Sequence, residues 1–361
     1  MTEIEKIFYE RLALQEEYGG TDKPVNRMQP LVSVVTTTYQ HAPYIRQCLD
    51  SILMQETDFP YEIIIGEDGS TDGTREICIQ YAEKYPDKIR LFLRDRAISH
   101  YVDSFANHIR LNGYFCRAEA RGEYVAICEG DDYWIDKQKL SIQVQYLNEN
   151  QDATGVCTEF SEIDEHSLVL HHKNPKNNIE LIKLSDIIIS DCIGTLTVMY
   201  KRKHMPLLLP EPLFYLWDAD WSLWTMLLMK GPIIKINKET SVYRNHRNGA
   251  SKVVSLRRIE HDALKYYKYI ENKIGEKYKN AINTGIAYVY LKIGNRYFEK
   301  KSFTKAIRCL IQSMLHKISS KTYNSQMTLM VRIIFLPLSN TIYSHRLKCY
   351  IRKFIKPRYA T

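Results

Sequence analysis

The chain has 361 residues, of which 45% are hydrophobic and 25% charged, and these ordinary globular values exclude a disordered or fibrous protein. Its net charge of +8 is uneven, because no Asp or Glu follows Glu299 whereas thirteen Lys and Arg do. Residues 1–299 therefore carry about −5, so the basicity does not belong to a nucleic-acid-binding core and we expect no nucleic-acid partner.

The cysteine pattern and the N-terminal sequence indicate a protein of the reducing cytoplasm. The eight cysteines form no Cys-x-x-Cys pair, which argues against a zinc site or a dithiol redox site. The first residues, Met-Thr-Glu-Ile-Glu-Lys, contain no apolar signal-peptide core, and no run of about 18 apolar residues follows. We expect a cytoplasmic protein without a membrane span.

The first half of the sequence alternates between apolar runs of strand length and helical patterns. A helix from Ile4 to Glu17 is expected in an N-terminal extension, residues 1–29. The alternation that follows predicts an α/β fold with a mostly parallel sheet and helices on both faces. Its predicted strands are Leu31–Thr38, Tyr61–Ile65, Lys88–Leu93 and Tyr124–Cys128.

The same domain is expected to continue to residue 250, so that it covers residues 30–250. Residues 161–180 are polar and predict a loop or excursion. The other predicted elements are a helix from Asp136, strands over Ala153–Phe160 and Thr195–Tyr200, a helix over Trp217–Met229, and short strands over Ile233–Ile236 and Thr240–Tyr243.

From about residue 252 the apolar pattern is purely helical, which predicts a helical C-terminal region over residues 251–361. Two of its helices, joined at Lys300–Ser302, resemble one tetratricopeptide unit. An apolar segment follows at Leu329–Leu338, with a basic tail behind it. This segment has two interpretations, a core helix or a basic amphipathic helix on an anionic membrane surface. The second interpretation predicts peripheral contact with the inner face of the cytoplasmic membrane.

Three carboxylates crowd the end of the predicted strand Tyr124–Cys128, and they belong to Glu129, Asp131 and Asp132. Such groups repel one another and are costly to bury, and a divalent cation relieves the repulsion. Mg²⁺ and Mn²⁺ accept oxygen ligands and share them with substrate phosphates. The alternative interpretation is an acidic turn that caps the helix from Asp136.

Polar and aromatic residues also follow the first two predicted strands. Thr38 and Tyr39 offer a hydroxyl and a ring that can hold a nucleobase, or else form a turn beside the core. Glu67 and Asp68 offer carboxylates at the next strand end, in a turn that also resembles a helix cap. In open α/β sheets, ligands bind beyond the carboxyl ends of the strands, where these residues are expected.

Five stretches in this order closely resemble the family 2 glycosyltransferases, which are inverting enzymes with the A-type nucleotide-diphospho-sugar fold. Residues 122–150 are similar to bacterial members that build surface polysaccharides. The resemblance covers roughly residues 30–250. The five stretches are Val34–Tyr39, Ile64–Thr74, Glu129–Asp132, Trp217–Leu223 and Tyr243–His246.

The resemblance implies roles for individual residues. Asp131 would bind Mn²⁺ or Mg²⁺ bridging the donor phosphates, and His246 would complete the coordination or contact the phosphates. Asp220 would be the general base for the acceptor hydroxyl, with Asp218 as a competing candidate that could instead cap the helix. The remaining contacts to the nucleotide sugar would come from Thr38, Tyr39, Glu67, Asp68, Glu129, Asp132 and Arg244, with Asp68 preferred for the uracil imide. Arg96 is added to these contacts because the predicted topology places its loop at the same edge of the sheet.

The resemblance therefore predicts a metal-dependent inverting glycosyltransferase that moves a sugar from a nucleotide-diphospho-sugar to a hydroxyl of a surface glycan or lipid-linked acceptor. A uridine donor is favoured, and guanosine and thymidine donors stay open. The alternative is an inactive nucleotide-sugar-binding or scaffold protein that acts through its helical tail. Neither the acceptor nor the oligomeric state is encoded in these motifs.

Overall fold

A computed structural model describes residues 2–102, 108–164, 166–171, 178–247, 249 and 254–316. The chain divides into two compact units. The first comprises Met1–Ile187 and Cys192–Val253, and the second comprises Ile188–Asp191 and Val254–Thr361. The segment Leu329–Leu338 and the basic tail lie outside the described residues, so the expected membrane contact stays a prediction.

Most strands of the first unit join one sheet, and two others form a separate antiparallel pair. In chain order the strands are β1 Val32–Thr38, β2 Tyr61–Glu67, β3 Ile89–Leu93, β4 His100–Val102, β5 His108–Arg110, β6 Tyr124–Ile127, β7 Tyr133–Trp134, β8 Gly155–Asp164, β9 Val169–His171, β10 Ile179–Ile182, β11 Met199–Lys201 and β12 Ile233–Asn245.

The main sheet has the order β10-β12-β8-β11-β6-β1-β2-β3, while β7 pairs with β12 and β9 with β8. The strands β6, β1, β2 and β3 run parallel to one another, as do β8 and β12. The strand β11 is antiparallel to both of its neighbours. The predicted mostly parallel α/β sheet is thereby confirmed.

The helices of the described residues, in chain order, are α1 Glu3–Leu12, α2 Pro24–Arg27, α3 Ile45–Leu53, α4 Thr74–Lys84, α5 Arg96–Ser99, α6 Asn112–Ala118, α7 Lys139–Glu149, α8 Leu184–Ile189, α9 Glu211–Phe214, α10 Ala219–Leu228, α11 Leu256–Ile274, α12 Lys279–Glu299 and α13 Phe303–Leu315. Among them, none is both long and apolar enough to cross a membrane.

Helices cover both faces of the parallel part of the sheet because successive strand residues point to opposite sides. On one face, Val34, Ile63 and Ile65 pack into a core with residues of α3 and α4. On the other face, Gly66 lies so close to α6 that a Cβ atom there would collide with Asn112.

Several predicted elements differ from the structure. The first helix ends at Leu12, five residues before the predicted Glu17. The predicted strand Thr195–Tyr200 is instead a 3-10 turn over Thr195–Thr197 followed by β11. The two predicted closing strands form the single strand β12, whose pairing with β8 is irregular between Lys235 and Ser241. Local periodicity could not resolve these points, because long-range pairing decides them.

The second unit contains α11, α12 and α13. The predicted pair of helices joined at Lys300–Ser302 corresponds to α12 and α13. They pack through Leu291, Ala306 and Leu310, and the Ser313 hydroxyl donates to the carbonyl of Ala287 at 2.8 Å. Small residues at this contact allow the helices to approach closely.

Candidate functional site

The candidate site lies at the carboxyl ends of three adjacent parallel strands, β6, β1 and β2. In the register of the sheet, Thr38 is opposite Glu67, and Val35 is opposite Ile127. The segment Cys128–Asp132, which follows β6, therefore lies beside the ends of β1 and β2. This is the edge at which the sequence predicts a ligand site.

The loop after β6 packs tightly onto the end of β1. The amide of Gly130 donates to the carbonyl of Thr37 at 2.9 Å. Thr38 is only 2% exposed and its hydroxyl lies under Gly130, so its predicted direct contact with a nucleotide does not fit this structure. Thr37, the preceding residue, is partly exposed at the same edge. Neighbouring residues of a strand point to opposite faces, so a shift of one residue exchanges a buried side chain for an exposed one.

His41, Asp131 and His246 form a compact group that we call the histidine–aspartate cluster. Nε2 of His246 lies 3.0 Å from Oδ2 of Asp131, and Nε2 of His41 lies 3.6 Å from the same oxygen. One potential ligand atom from each residue lies within 4.8 Å of the others. The structure thus brings together the predicted residues Asp131 and His246 and adds His41.

Sequence reasoning missed His41, although the residue is two positions after Tyr39 in the turn that follows β1. Its backbone amide donates to the Thr74 hydroxyl at 2.8 Å, which ties this turn to the start of α4. The rings of His41 and His246 meet edge to face, with centroids 6.1 Å apart. The sequence feature that could have indicated His41 is its position shortly after β1, at the end of the strand where ligands are expected.

The electrostatics of the cluster favour a charged carboxylate beside neutral imidazole. Burial alone would raise the pKa of Asp131, but the hydrogen bond with His246 and the field of His41 outweigh it and hold this pKa below its ordinary value. Burial lowers the pKa of His41, against the attraction of Asp131. A carboxylate and neutral imidazole nitrogens are the forms that ligate metals.

Asp132 and Arg244 form hydrogen bonds that stabilise the loop carrying Asp131. Asp132 is 1% exposed, and its carboxylate accepts the backbone amide of Arg244 at 2.8 Å. Burial raises the pKa of Asp132 well above its ordinary value, and the nearby charges of Asp131 and Glu129 add to the effect.

Nε of Arg244 donates to the carbonyl of Asp131 at 3.0 Å, and its Nη2 donates to Gln47 at 2.7 Å. Because Arg244 is 5% exposed and Asp132 is buried, the predicted direct contacts of both side chains with the nucleotide sugar do not fit this structure. Their hydrogen bonds instead fix the loop that carries Asp131.

A second group at this edge consists of Tyr39, Asp68 and Arg96. The Tyr39 ring is 38% exposed, and the guanidinium carbon of Arg96 lies 3.8 Å from the centre of this ring. Nη1 of Arg96 lies 3.2 Å from Oδ2 of Asp68. These three predicted residues are therefore together, with a ring face, a carboxylate and a cation in one place.

The side chain of Glu67 lies in the protein interior and not on the surface of the candidate site. Its side chain is fully buried, one carboxylate oxygen accepts Nε of Arg75 at 2.5 Å, and the other accepts the amide of Ser70 at 2.6 Å. A direct contact with a nucleotide does not fit this environment. Glu67 instead shapes the turn that presents Asp68. Glu129, by contrast, is partly exposed after β6.

Asp218 and Asp220 have separate structural roles. Asp218 is the N-cap of α10, where its carboxylate accepts the amide of Trp221 at 3.3 Å. Asp220 is partly exposed in the first turn and accepts the Thr195 hydroxyl at 2.7 Å. Burial raises the pKa of Asp220, and the hydrogen bond from Thr195 and the charge of Arg117 oppose this rise.

The pairing of β11 with β6 brings Asp220 to the edge of the sheet where the cluster lies. The two strands are antiparallel, with Met199 opposite Ala126, and the amide of Ile127 donates to the carbonyl of Val198. Residues before β11 therefore run toward the carboxyl end of β6. Thr195 lies in that direction and holds Asp220 by its hydroxyl.

Comparison with known proteins supports the relationship inferred from the sequence. The model of the family "Glycosyl transferase family 2" matches residues 33–98. An uncharacterized protein of Mycobacterium tuberculosis is 33% identical over 218 residues, which are 60% of this chain and 60% of that protein. The chain thus matches less than two thirds of that relative.

The putative teichuronic acid biosynthesis glycosyltransferase TuaG of Bacillus subtilis is 29% identical over 294 residues, which cover 79% of this chain and 94% of TuaG.

Solved structures share the fold at low sequence identity. The crystal structure of Staphylococcus aureus TarS 1–349 in complex with UDP-GlcNAc has a TM-score of 0.54 and 16% identity, and the match covers 91% of this chain and 93% of TarS. The mannosyltransferase PcManGT from Pyrobaculum calidifontis, in complex with GDP-Man and Mn²⁺, has a TM-score of 0.50 and 17% identity, covering 98% and 94%.

The matched residues 33–98 contain nearly all of β1, all of β2 and β3, and the residues Tyr39, His41 and Asp68 that follow the first two strands. The neighbouring structures have the same A-type fold as the sheet described above. Residues 33–98 thus match the family 2 glycosyltransferase model, the chain is similar in sequence to TuaG, and it shares the fold of TarS and PcManGT.

Proposed function

We propose that this protein is a metal-dependent inverting glycosyltransferase that moves one sugar from a nucleotide-diphospho-sugar to a hydroxyl of a surface polysaccharide or glycolipid. The observation that carries the proposal is the cluster of His41, Asp131 and His246 at the carboxyl edge of the sheet. The name of the relative TuaG supports a polymer of the cell surface as the acceptor.

The cluster suits Mn²⁺ better than Mg²⁺, and we propose Mn²⁺ as the cofactor. Two imidazole nitrogens and one carboxylate form a mixed donor set, whereas Mg²⁺ prefers oxygen ligands alone. Nδ1 of His41 is buried without a hydrogen-bond partner among the described residues. The contacts of Nε2 therefore determine the orientation of the ring. The cation, when bound, offsets the negative charge of the departing diphosphate.

Tyr39, Asp68 and Arg96 supply the proposed site for the nucleobase. The exposed face of Tyr39 offers a stacking surface, and the Asp68 carboxylate can accept the imide hydrogen of uracil. Arg96 lies over one face of the Tyr39 ring and contacts Asp68, so it adds a cation beside the proposed nucleobase site. We propose a uridine donor on this basis, with Glu129 directed toward the ribose or the sugar.

Asp220 is the proposed general base. Its carboxylate is partly buried and is oriented by the Thr195 hydroxyl, whereas Asp218 is committed to capping α10. Asp220 would take the proton of the acceptor hydroxyl while that oxygen attacks the anomeric carbon. Because attack comes from the side opposite the leaving diphosphate, the configuration at this carbon inverts.

The proposal is tested with a panel of UDP-, GDP- and dTDP-sugars in the presence of Mn²⁺ and a mixture of glycan acceptors. The expected result is release of one nucleotide diphosphate and a product of inverted anomeric configuration by NMR. An Asp131→Ala variant should release no nucleotide. Nucleotide binding without transfer to any acceptor would instead favour an inactive binding protein.

A further inference from the structure

The second unit contains a cavity of about 540 Å³ that is separate from the site described above. Its walls come from three helices: α11 contributes Arg257, Glu260 and His261, α12 contributes Tyr297, and α13 contributes Lys305 and Arg308. The volume falls within the range of roughly 300–1,000 Å³ that is usual for small-molecule pockets.

The charge of this cavity is positive. Among the described lining residues, three permanent cations face one carboxylate. That carboxylate belongs to Glu260, and Nη2 of Arg308 lies 2.5 Å from it, so this pair neutralises itself. Arg257 and Lys305 then leave a surplus of positive charge, which favours an anionic ligand.

The cavity also has an aromatic wall. The Tyr297 ring is partly buried in the lining, and the ammonium of Lys305 lies 5.4 Å from the centre of the ring. Leu264 adds an apolar surface that is 40% exposed. An aromatic ring beside cations suits a ligand with an apolar face and a charged group on its rim, as in a sugar ring that bears a carboxylate or phosphate.

We propose that this cavity binds an anionic saccharide segment of the acceptor, with its charged group on Arg257 and Lys305 and a sugar ring against Tyr297. The inference rests on the proposed function, because it concerns the acceptor of that reaction. A concave cavity with one aromatic wall fits one or two sugar units, whereas a lipid bilayer presents a broad, flat surface.

The test measures binding of a galacturonate tetrasaccharide to the full chain by isothermal titration calorimetry. The expected result is binding that weakens when the salt concentration is raised. The double variant Arg257→Gln, Lys305→Gln should bind at least tenfold more weakly. The matched control is Lys300→Gln, Lys301→Gln, which removes the same charge outside the lining and should stay within twofold of the wild type. Tyr297→Leu should weaken binding with no change in charge.

Four outcomes would overturn the inference: no binding of the tetrasaccharide, equal binding of its uncharged methyl ester, equal loss in the control variant, or stronger binding to vesicles of anionic phospholipid that the cavity variant alone loses. The two proposals can fail separately. Asp131→Ala should bind the tetrasaccharide like the wild type but release no nucleotide, and the cavity variant should hydrolyse the donor at the wild-type rate without an acceptor.

Discussion

A Cβ atom at position 130 would lie 2.6 Å from the hydroxyl oxygen of Thr38. Gly130 is the point where the loop after β6 crosses the end of β1, and the same Cβ would be 3.0 Å from Nδ1 of His41. The two segments can approach only because position 130 has no side chain. The geometry of the histidine–aspartate cluster therefore depends on a residue that has no side chain of its own.

We predict that Gly130→Ala reduces the free energy of unfolding by about 1–3 kcal/mol, since it overpacks a tight contact. It should also weaken Mn²⁺ binding at least tenfold by displacing His41. Denaturant unfolding and Mn²⁺ electron paramagnetic resonance measure the two effects. Gly113→Ala is the matched control, because its Cβ would have 4.0 Å to the nearest atoms. Wild-type stability of Gly130→Ala would contradict the tight contact.

The cluster predicts that both histidines contribute to cation binding. His41→Ala and His246→Ala should each weaken Mn²⁺ affinity at least tenfold, because each removes one of three ligands. Titration of Mn²⁺ by electron paramagnetic resonance reports this directly, without turnover. His204→Ala, outside the cluster, serves as the control. If His41→Ala binds Mn²⁺ as tightly as the wild type, His41 is not a ligand.

Substitutions of Asp220 and of Asp218 should have different effects on the protein. Asp220→Asn keeps an acceptor for the Thr195 hydroxyl but loses the base, so we expect kcat to fall about 10²–10⁴-fold while the Kd for UDP stays within about twofold. Asp218→Ala removes the cap of α10 and should lower the free energy of unfolding by about 0.5–2 kcal/mol. Transfer at the normal rate by Asp220→Asn would refute its role as the base.

Because Lys139 is buried, we predict that the free energy of unfolding depends on pH. Its side chain is fully buried, donates to Gln143 at 2.7 Å and lies against the Trp134 ring, and burial lowers its pKa to about 7. Between this pKa and its ordinary value of 10.5 the unfolded chain binds a proton that the folded chain lacks. Stability should therefore rise with pH across this window, by up to about 1.4 kcal/mol per pH unit.

Comparison with Lys139→Met isolates this contribution. Urea unfolding at several pH values between about 7 and 10 should show the wild type gaining stability relative to the variant as the pH increases. Lys137→Met is the control, because Lys137 is exposed and should give no such trend. Parallel pH profiles for wild type and Lys139→Met would show that the lysine is charged in the folded protein.

The alternation of apolar and helical segments was sufficient to predict the parallel sheet, since buried strands and amphipathic helices leave strong local patterns. Placing polar residues at strand ends also predicted Asp131, His246, Asp68 and Tyr39 as site residues, and the structure brings them to the same edge of the sheet. What local patterns could not decide was which way a side chain points. Thr37 and Thr38 point to opposite sides of the strand, and only the packed structure shows that Thr38 is the buried one, under Gly130.

The interior roles of Asp132, Glu67 and Arg244 were also hidden in the sequence. A carboxylate beside other carboxylates looks like a ligand, but each of these side chains finds its partner elsewhere in the structure. Such pairings depend on long-range contacts, which a motif does not specify.

Arg244 and His246 come from the end of β12 and its exit, more than a hundred positions after Asp131. In a nascent chain whose β12 has not yet been synthesised, the loop after β6 lacks these two contacts. The proposed cation site is therefore complete only after β12 has been synthesised, so we expect a fragment ending before residue 233 to bind Mn²⁺ more weakly than the full chain.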